Sequence, residues 1–196
     1  MSKQTILGYE VPPRNRHNFT TYPWFQTFVK QQSANEWGND KGQYLAILIS
    51  QIEEDRANLP RMRLHYDMSL ETLIIKFITV HHGIAATGFR ETFLERCRTS
   101  GYAARGYLVS LRGSSHRSID GQRLKEPDDA FKPKTARSHV SDKPTMVVEV
   151  RMEDSTSQLR TAAHHWLTGY HGEVWIVILI HVQRYQRSIR FENWQL

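Results

Sequence analysis

The longest apolar run in the chain, Val174-Trp-Ile-Val-Ile-Leu-Ile180, is rich in β-branched residues. It is far short of the roughly 20 apolar residues that cross a bilayer, so no membrane partner is expected and the run predicts a buried strand. A second apolar run, Thr145-Met-Val-Val-Glu-Val150, predicts another strand, and the spacing of Leu159, Ala162, Ala163, Trp166 and Leu167 predicts a helix from about Ser155 to Thr168 between them. Strand Ser188–Trp194 closes the chain. A length of 196 residues favours one core. The 26 Lys and Arg against 20 Asp and Glu leave a net charge of +6, which suits an anionic partner such as nucleic acid. One cysteine, Cys97, cannot close an intrachain disulfide, and the first residues lack the apolar core of a signal peptide. The expected setting is therefore intracellular, nuclear or cytoplasmic, and not secreted.

Further upstream, Pro12, Pro13 and Pro23 predict an extended arm over residues 1–23. The spacing of Trp24, Phe25, Phe28 and Val29 predicts one helix, and that of Tyr44, Leu45, Leu48, Ile49 and Ile52 a second, ending near Pro60. Residues 1–60 thus read as an arm and helical pair packed on a domain spanning 61–196, one structural unit overall. Met62–Tyr66 and Thr72–Ile78 alternate as a hairpin, Val80–Arg98 carries a helical face of Ile84, Phe89, Phe93, Leu94 and Cys97, and Tyr107–Leu111 is a strand. Arg112–Pro144 reads as long connections around one extended element, Asp128–Pro133.

An acidic residue inside an apolar strand needs an explanation. Alternation puts Val147, Glu149 and Arg151 on one face of their strand and Val148 and Val150 on the other. Burying an unpaired carboxylate costs several kcal/mol, roughly, so Glu149 must meet a cation, a metal or water. One reading pairs it with Arg151 on a partly exposed face. The other joins it to Asp128 around Mg²⁺, which is held by one or two carboxylates and waters and activates water against phosphodiesters.

With Lys125-Glu-Pro-Asp128 followed by Pro144-Thr-Met-Val-Val-Glu-Val150, then by Ser155–Leu167 and Gly172–Ile180, the chain resembles the restriction-endonuclease-like superfamily named for its PD-(D/E)XK signature, in particular its uncharacterised fungal members. The resemblance runs over roughly residues 60 to 196. It implies an α/β fold with an αβββαβ core and mixed central sheet, here with N-terminal helices and a hairpin added. It also implies a Mg²⁺- or Mn²⁺-dependent nuclease acting on DNA, with Asp128 and Glu149 as the metal-binding acids. Arg151 stands where the signature has lysine; it stays charged and cannot act as a base, but it can stabilise charge on a scissile phosphate. His82-Gly83 stands where relatives often carry His-Glu. At the start of the following helix, Gln158 and Arg160 are further candidates for phosphate contact.

Lys125, Lys132, Lys134 and Arg137 lie in the basic segment around Asp128 and are candidates for gripping a nucleic-acid backbone. The histidines form no HExxH motif, and a lone cysteine builds no zinc site. The expected function is a metal-dependent nuclease, or a nuclease-derived protein, acting on DNA and able to pair as a homodimer. The alternative is an inactive nuclease-like module that binds nucleic acid or protein.

Overall fold

The computed structural model describes residues 5–6, 9–10, 18, 20–35, 44–48, 58–60, 62–68, 70, 72–101, 107–118, 120–152 and 156–196. Among them lie helices α1 (Tyr22–Asn35), α2 (Val80–Thr99) and α3 (Thr156–Gly169). The strands are β1 (Thr5–Ile6), β2 (Tyr9–Glu10), β3 (Tyr44–Leu48), β4 (Met62–Asp67), β5 (Thr72–Phe77), β6 (Leu108–Ser110), β7 (His116–Arg117), β8 (Arg123–Lys125), β9 (Asp129–Pro133), β10 (Met146–Met152), β11 (Ile176–Gln183) and β12 (Ser188–Gln195). Apart from the short β1–β2 pair, they form two sheets, β12-β11-β10-β9-β6 and β3-β5-β4-β8-β7. The protein is therefore mixed α/β. None of its described helices is long and apolar enough to cross a membrane.

β10 lies at the centre of the first sheet, parallel to β11 and antiparallel to β9. Both of its faces are covered, which is why its sequence is nearly continuous in apolar residues. Val147 packs with Trp166, Leu159 and Ala163 of α3, while Val148 and Val150 pack toward Ala86, Phe89 and Phe93 of α2. The predicted alternation holds. Thr79 caps α2 by accepting a hydrogen bond from the His82 backbone N–H at 3.3 Å, and the chain leaves the helix at Gly101 with φ of +73°. Ile84, assigned to the inner face by spacing, is instead 64% exposed. His82 and Ala86, one turn apart, mark the buried line, and Ile84 falls between them on the opposite side.

The second sheet is also built by alternation. Met62 and Leu64 of β4, Leu73, Ile75 and Phe77 of β5 and Leu124 of β8 form one face, which Phe25 and Val29 of α1 cover. Full burial of those two α1 side chains contributes roughly 3–6 kcal/mol, more than intrinsic propensity supplies to a helix of this length. The residues between them, Arg63, His65, Ile74, Lys76 and Lys125, fall on the other face. That face carries the charge.

Two expectations are corrected. Tyr44–Leu48 is β3, paired antiparallel with β5 from Tyr44↔Lys76 to Leu48↔Thr72, so the expected helical pair reduces to α1 among the described residues; residues 49–57 lie outside them, as does 11–17 of the predicted arm. A short apolar run satisfies either period, and here the open edge of β5 decides. The long connection from Arg112 to Pro144 contains two further strands, β7 and β8, with β8 pairing β4 through His65↔Lys125 to Asp67↔Arg123. Strands of two and three residues leave too short a pattern to read: β8 is held by β4, some 60 residues away in the chain, and β7 in turn pairs with β8.

Candidate functional site

Glu126-Pro127-Asp128 bridges the two sheets. The backbone N–H of Glu126 donates to Leu64 O of β4 at 2.8 Å, whereas that of Asp128 donates to Val148 O of β10 at 3.1 Å. Proline between them has no N–H to satisfy. The Glu126 carboxylate fastens the near side, accepting from the Leu64 N–H at 3.2 Å and from Ser115 Oγ at 2.8 Å. Asp128 is thereby delivered to the strand that carries Glu149. Asp129, next in sequence, turns away and binds Ser110 Oγ at 2.8 Å and Arg90 at 3.4 Å.

Asp128 is buried, and its Oδ2 accepts from the Val150 N–H at 2.7 Å. The same oxygen lies 2.7 Å from Lys76 Nζ and 2.8 Å from His82 Nε2. Burial alone would raise the pKa of this carboxyl, but His82, Lys76 and Arg63 reverse the effect and hold it below the usual carboxylate range. The pKa of His82 is lowered as well, since burial outweighs the attraction of Asp128 and Lys76 opposes its protonation. The ring is thus favoured in its neutral form, with Nε2 close to the carboxylate but in no well-directed hydrogen bond to it.

Glu149 is equally buried, and the expected partner Arg151 is not what holds it. Oε1 accepts from Trp166 Nε1 of α3 at 2.6 Å and lies 3.1 Å from Lys125 Nζ, which sits 5.0 Å over the Trp166 ring. Oε2 lies 4.0 Å from Lys76 Nζ. Lys76 therefore reaches both acids, and it also donates to Val150 O at 2.8 Å. Glu149 comes from the first sheet, Asp128 from the bridging tripeptide and the lysine from the second sheet. Arg151 is half-buried further along β10, opposite His181. A small open pocket adjoins the cluster, lined by Arg63, His65, Ile74, Lys76, Lys125 and Glu149 among others.

Of the residues expected from sequence, the structure brings together Asp128, Glu149, His82 and Lys125. Lys125 is buried against Glu149 and is not available to grip a backbone. Lys132 is likewise buried and donates to His139 O. Arg137 is engaged with Glu173 at 2.6 Å and with Lys143 O at 2.8 Å, and Arg160 is 3.4 Å from Glu192. Gln158 is buried at the start of α3. Lys134 alone of the basic-segment candidates is exposed, so an open cationic loop is replaced by cations folded inward.

Lys76 and Arg63 are absent from the sequence reading, yet they carry its own signal. Lys76 interrupts Leu73-Ile-Ile-Lys-Phe77 in the way Glu149 interrupts its strand. Each is the other's explanation.

The donor chemistry bears on a divalent ion. Among the described residues no group of three or more His, Cys, Asp and Glu is disposed around one point. Asp128 Oδ1 is buried with no hydrogen-bond donor, its nearest cation being Arg63 Nε at 3.7 Å, and Glu149 Oε2 has only the distant Lys76. One oxygen of each acid is thus left to ligate, which fits an ion that takes few carboxylates and completes its shell with water. No protein-family model matches the chain, and no curated protein does.

Proposed function

We propose that α2, β6, β9, β10, α3 and β11 constitute a restriction-endonuclease-like core and that the protein hydrolyses phosphodiester bonds in DNA with Mg²⁺ or Mn²⁺. The connectivity supports this reading: β6 and β9, and β9 and β10, are antiparallel, whereas β11 returns parallel to β10 after α3. The observation that carries it is the contact of Lys76 Nζ with Asp128 at 2.7 Å and Glu149 at 4.0 Å. It assembles two acids and a lysine where Arg151 leaves the expected lysine missing.

In this reading Asp128 and Glu149 would hold the ion, which when bound would supply Lewis-acid polarisation of the phosphate and acidify a water. The two donors on Asp128 Oδ2, Lys76 Nζ and the Val150 N–H, fix its rotamer, so its other oxygen is presented without reorganisation. Trp166 and Lys125 do the same for Glu149. Lys76 holds its ammonium against both acids through Asp128 and Val150 O, and its remaining N–H can donate to a phosphate oxygen as negative charge grows.

The test is nicking of supercoiled plasmid in Mg²⁺ by wild type, Asp128→Asn and Glu149→Gln, with circular dichroism confirming the fold of each. The expected result is nicking by wild type that falls at least 100-fold, roughly, in both variants. A second reading has its own observation: Lys76, Lys125 and Arg63 already neutralise both acids. Wild type that binds duplex DNA, ignores Mg²⁺ and leaves plasmid intact would favour that inactive module.

A further inference from the structure

The turn after β6 passes directly against the Arg63 guanidinium. A Cβ on Gly113 would stand 2.1 Å from Arg63 Cζ and 2.2 Å from Nη1, so only glycine leaves room for the group where it lies. Placed there, Arg63 Nη2 makes one long bond, 3.3 Å, to Asp128 O. Its Nε is buried with no hydrogen-bond partner and is 3.7 Å from Asp128 Oδ1. The side chain is 23% exposed, so it can be reached from the pocket that it lines with Lys76 and Lys125.

A guanidinium so confined and so poorly hydrogen-bonded is poised for another acceptor. Arg63, Lys76 and Lys125 line the pocket with Glu126 and Glu149, and Asp128 pairs with Arg63 and Lys76, so charge is balanced and what is missing is an acceptor for the Arg63 guanidinium itself. His65 adds no charge, because burial first, and then His165 and Lys125, keep its ring neutral. The ligand favoured is an anion with several acceptor oxygens, which the planar fork of arginine can take in a bidentate grip. We infer that Arg63, held by the Gly113 turn, binds a backbone phosphate of the nucleic acid in this pocket. The inference rests on the nuclease reading for the identity of the ligand, but not on hydrolysis.

The experiment measures binding of a labelled 12-base-pair DNA duplex by anisotropy over a salt series, in chelator, for the full chain and its variants. Arg63→Gln is expected to weaken binding about tenfold and to lower the salt slope by about one. Gly113→Ala should weaken it similarly: the overlapping atoms are the far end of a flexible side chain, which moves aside while the turn survives. Arg63→Lys should fall between wild type and Arg63→Gln, since a point charge replaces the fork, and Lys30→Gln, on the exposed side of α1, should change nothing. Equal affinity and slope in wild type, Arg63→Gln and Gly113→Ala would overturn the inference. So would Arg63-dependent binding of inorganic phosphate with no Arg63 effect on the duplex, which would assign the pocket to a free anion. Arg63-dependent duplex binding by a protein that never nicks would sustain the inference while removing the hydrolytic function.

Discussion

Glu149 is held by an indole donor and by an ion pair, and their removal should have different consequences. Trp166→Phe deletes the 2.6 Å indole N–H bond to the carboxylate and is expected to destabilise the fold by about 2 kcal/mol, the value of a hydrogen bond to a charged group. Lys125→Met removes the nearest cation from a carboxylate that is 5% exposed. Its cost should be larger, about 3–5 kcal/mol, because a buried charge loses its compensation. Urea midpoints for the two variants check the order; a milder Lys125→Met would mean that Lys76 already suffices. The special status of Glu149 was legible in Val-Val-Glu-Val, and Asp128 followed from its position in Lys-Glu-Pro-Asp. The identity of the cations was not. Lysines that pair across sheets are separated from their acids by dozens of residues, and nothing local ties Lys76 to Asp128.

Elements with a long, clear period were legible because they meet their core through their own pattern. This is true of α2, α3, the β4–β5 hairpin, β10 and β11. Tyr44–Leu48 failed for the opposite reason: an apolar run of this length is compatible with helix or strand, and pairing with β5 decides. As an edge strand, β3 should show alternating protection in amide hydrogen exchange, because successive N–H groups point toward β5 and away from it. A helix would protect a continuous run, and that pattern over Tyr44–Leu48 would contradict the strand. β7 and β8 were hidden by brevity within a polar stretch. Their consequence for the site was hidden with them, since β8 turns Lys125 inward.

At the scale of the molecule, acid should loosen the fold earlier than its carboxylates alone would. Burial is the main force pushing His165 down to about 3 and His116 down to about 4, with nearby lysines adding to it. The unfolded rings titrate near 6.5. Because the folded values are depressed, the unfolded chain binds more protons below that pH. Their contribution to stability is complete above about 6.5 and is lost as pH falls toward 4 for His116 and 3 for His165, at up to about 1.4 kcal/mol per pH unit per proton. Asp128, also depressed, adds a further loss below the usual carboxylate range. Urea midpoints between pH 7 and 4 should therefore decline, and His165→Phe should flatten the decline; a flat wild-type profile would contradict neutral burial of these rings. The mixed sheet was legible from its apolar strands. The second sheet was legible only as a hairpin, since its outer strands, β3 and β7, and the link β8 are defined by pairing rather than by their own sequences. The site lies where the two sheets meet, with acids from β10 and the bridging tripeptide and cations from β4, β5 and β8. The most direct test of that arrangement compares Mg²⁺-dependent plasmid nicking by wild type, Lys76→Met and Arg151→Gln. The account predicts that Lys76→Met loses nicking by two orders of magnitude, roughly, with its fold intact, and that Arg151→Gln retains most of it. Full activity in Lys76→Met, with loss in Arg151→Gln, would contradict a site shared between the sheets.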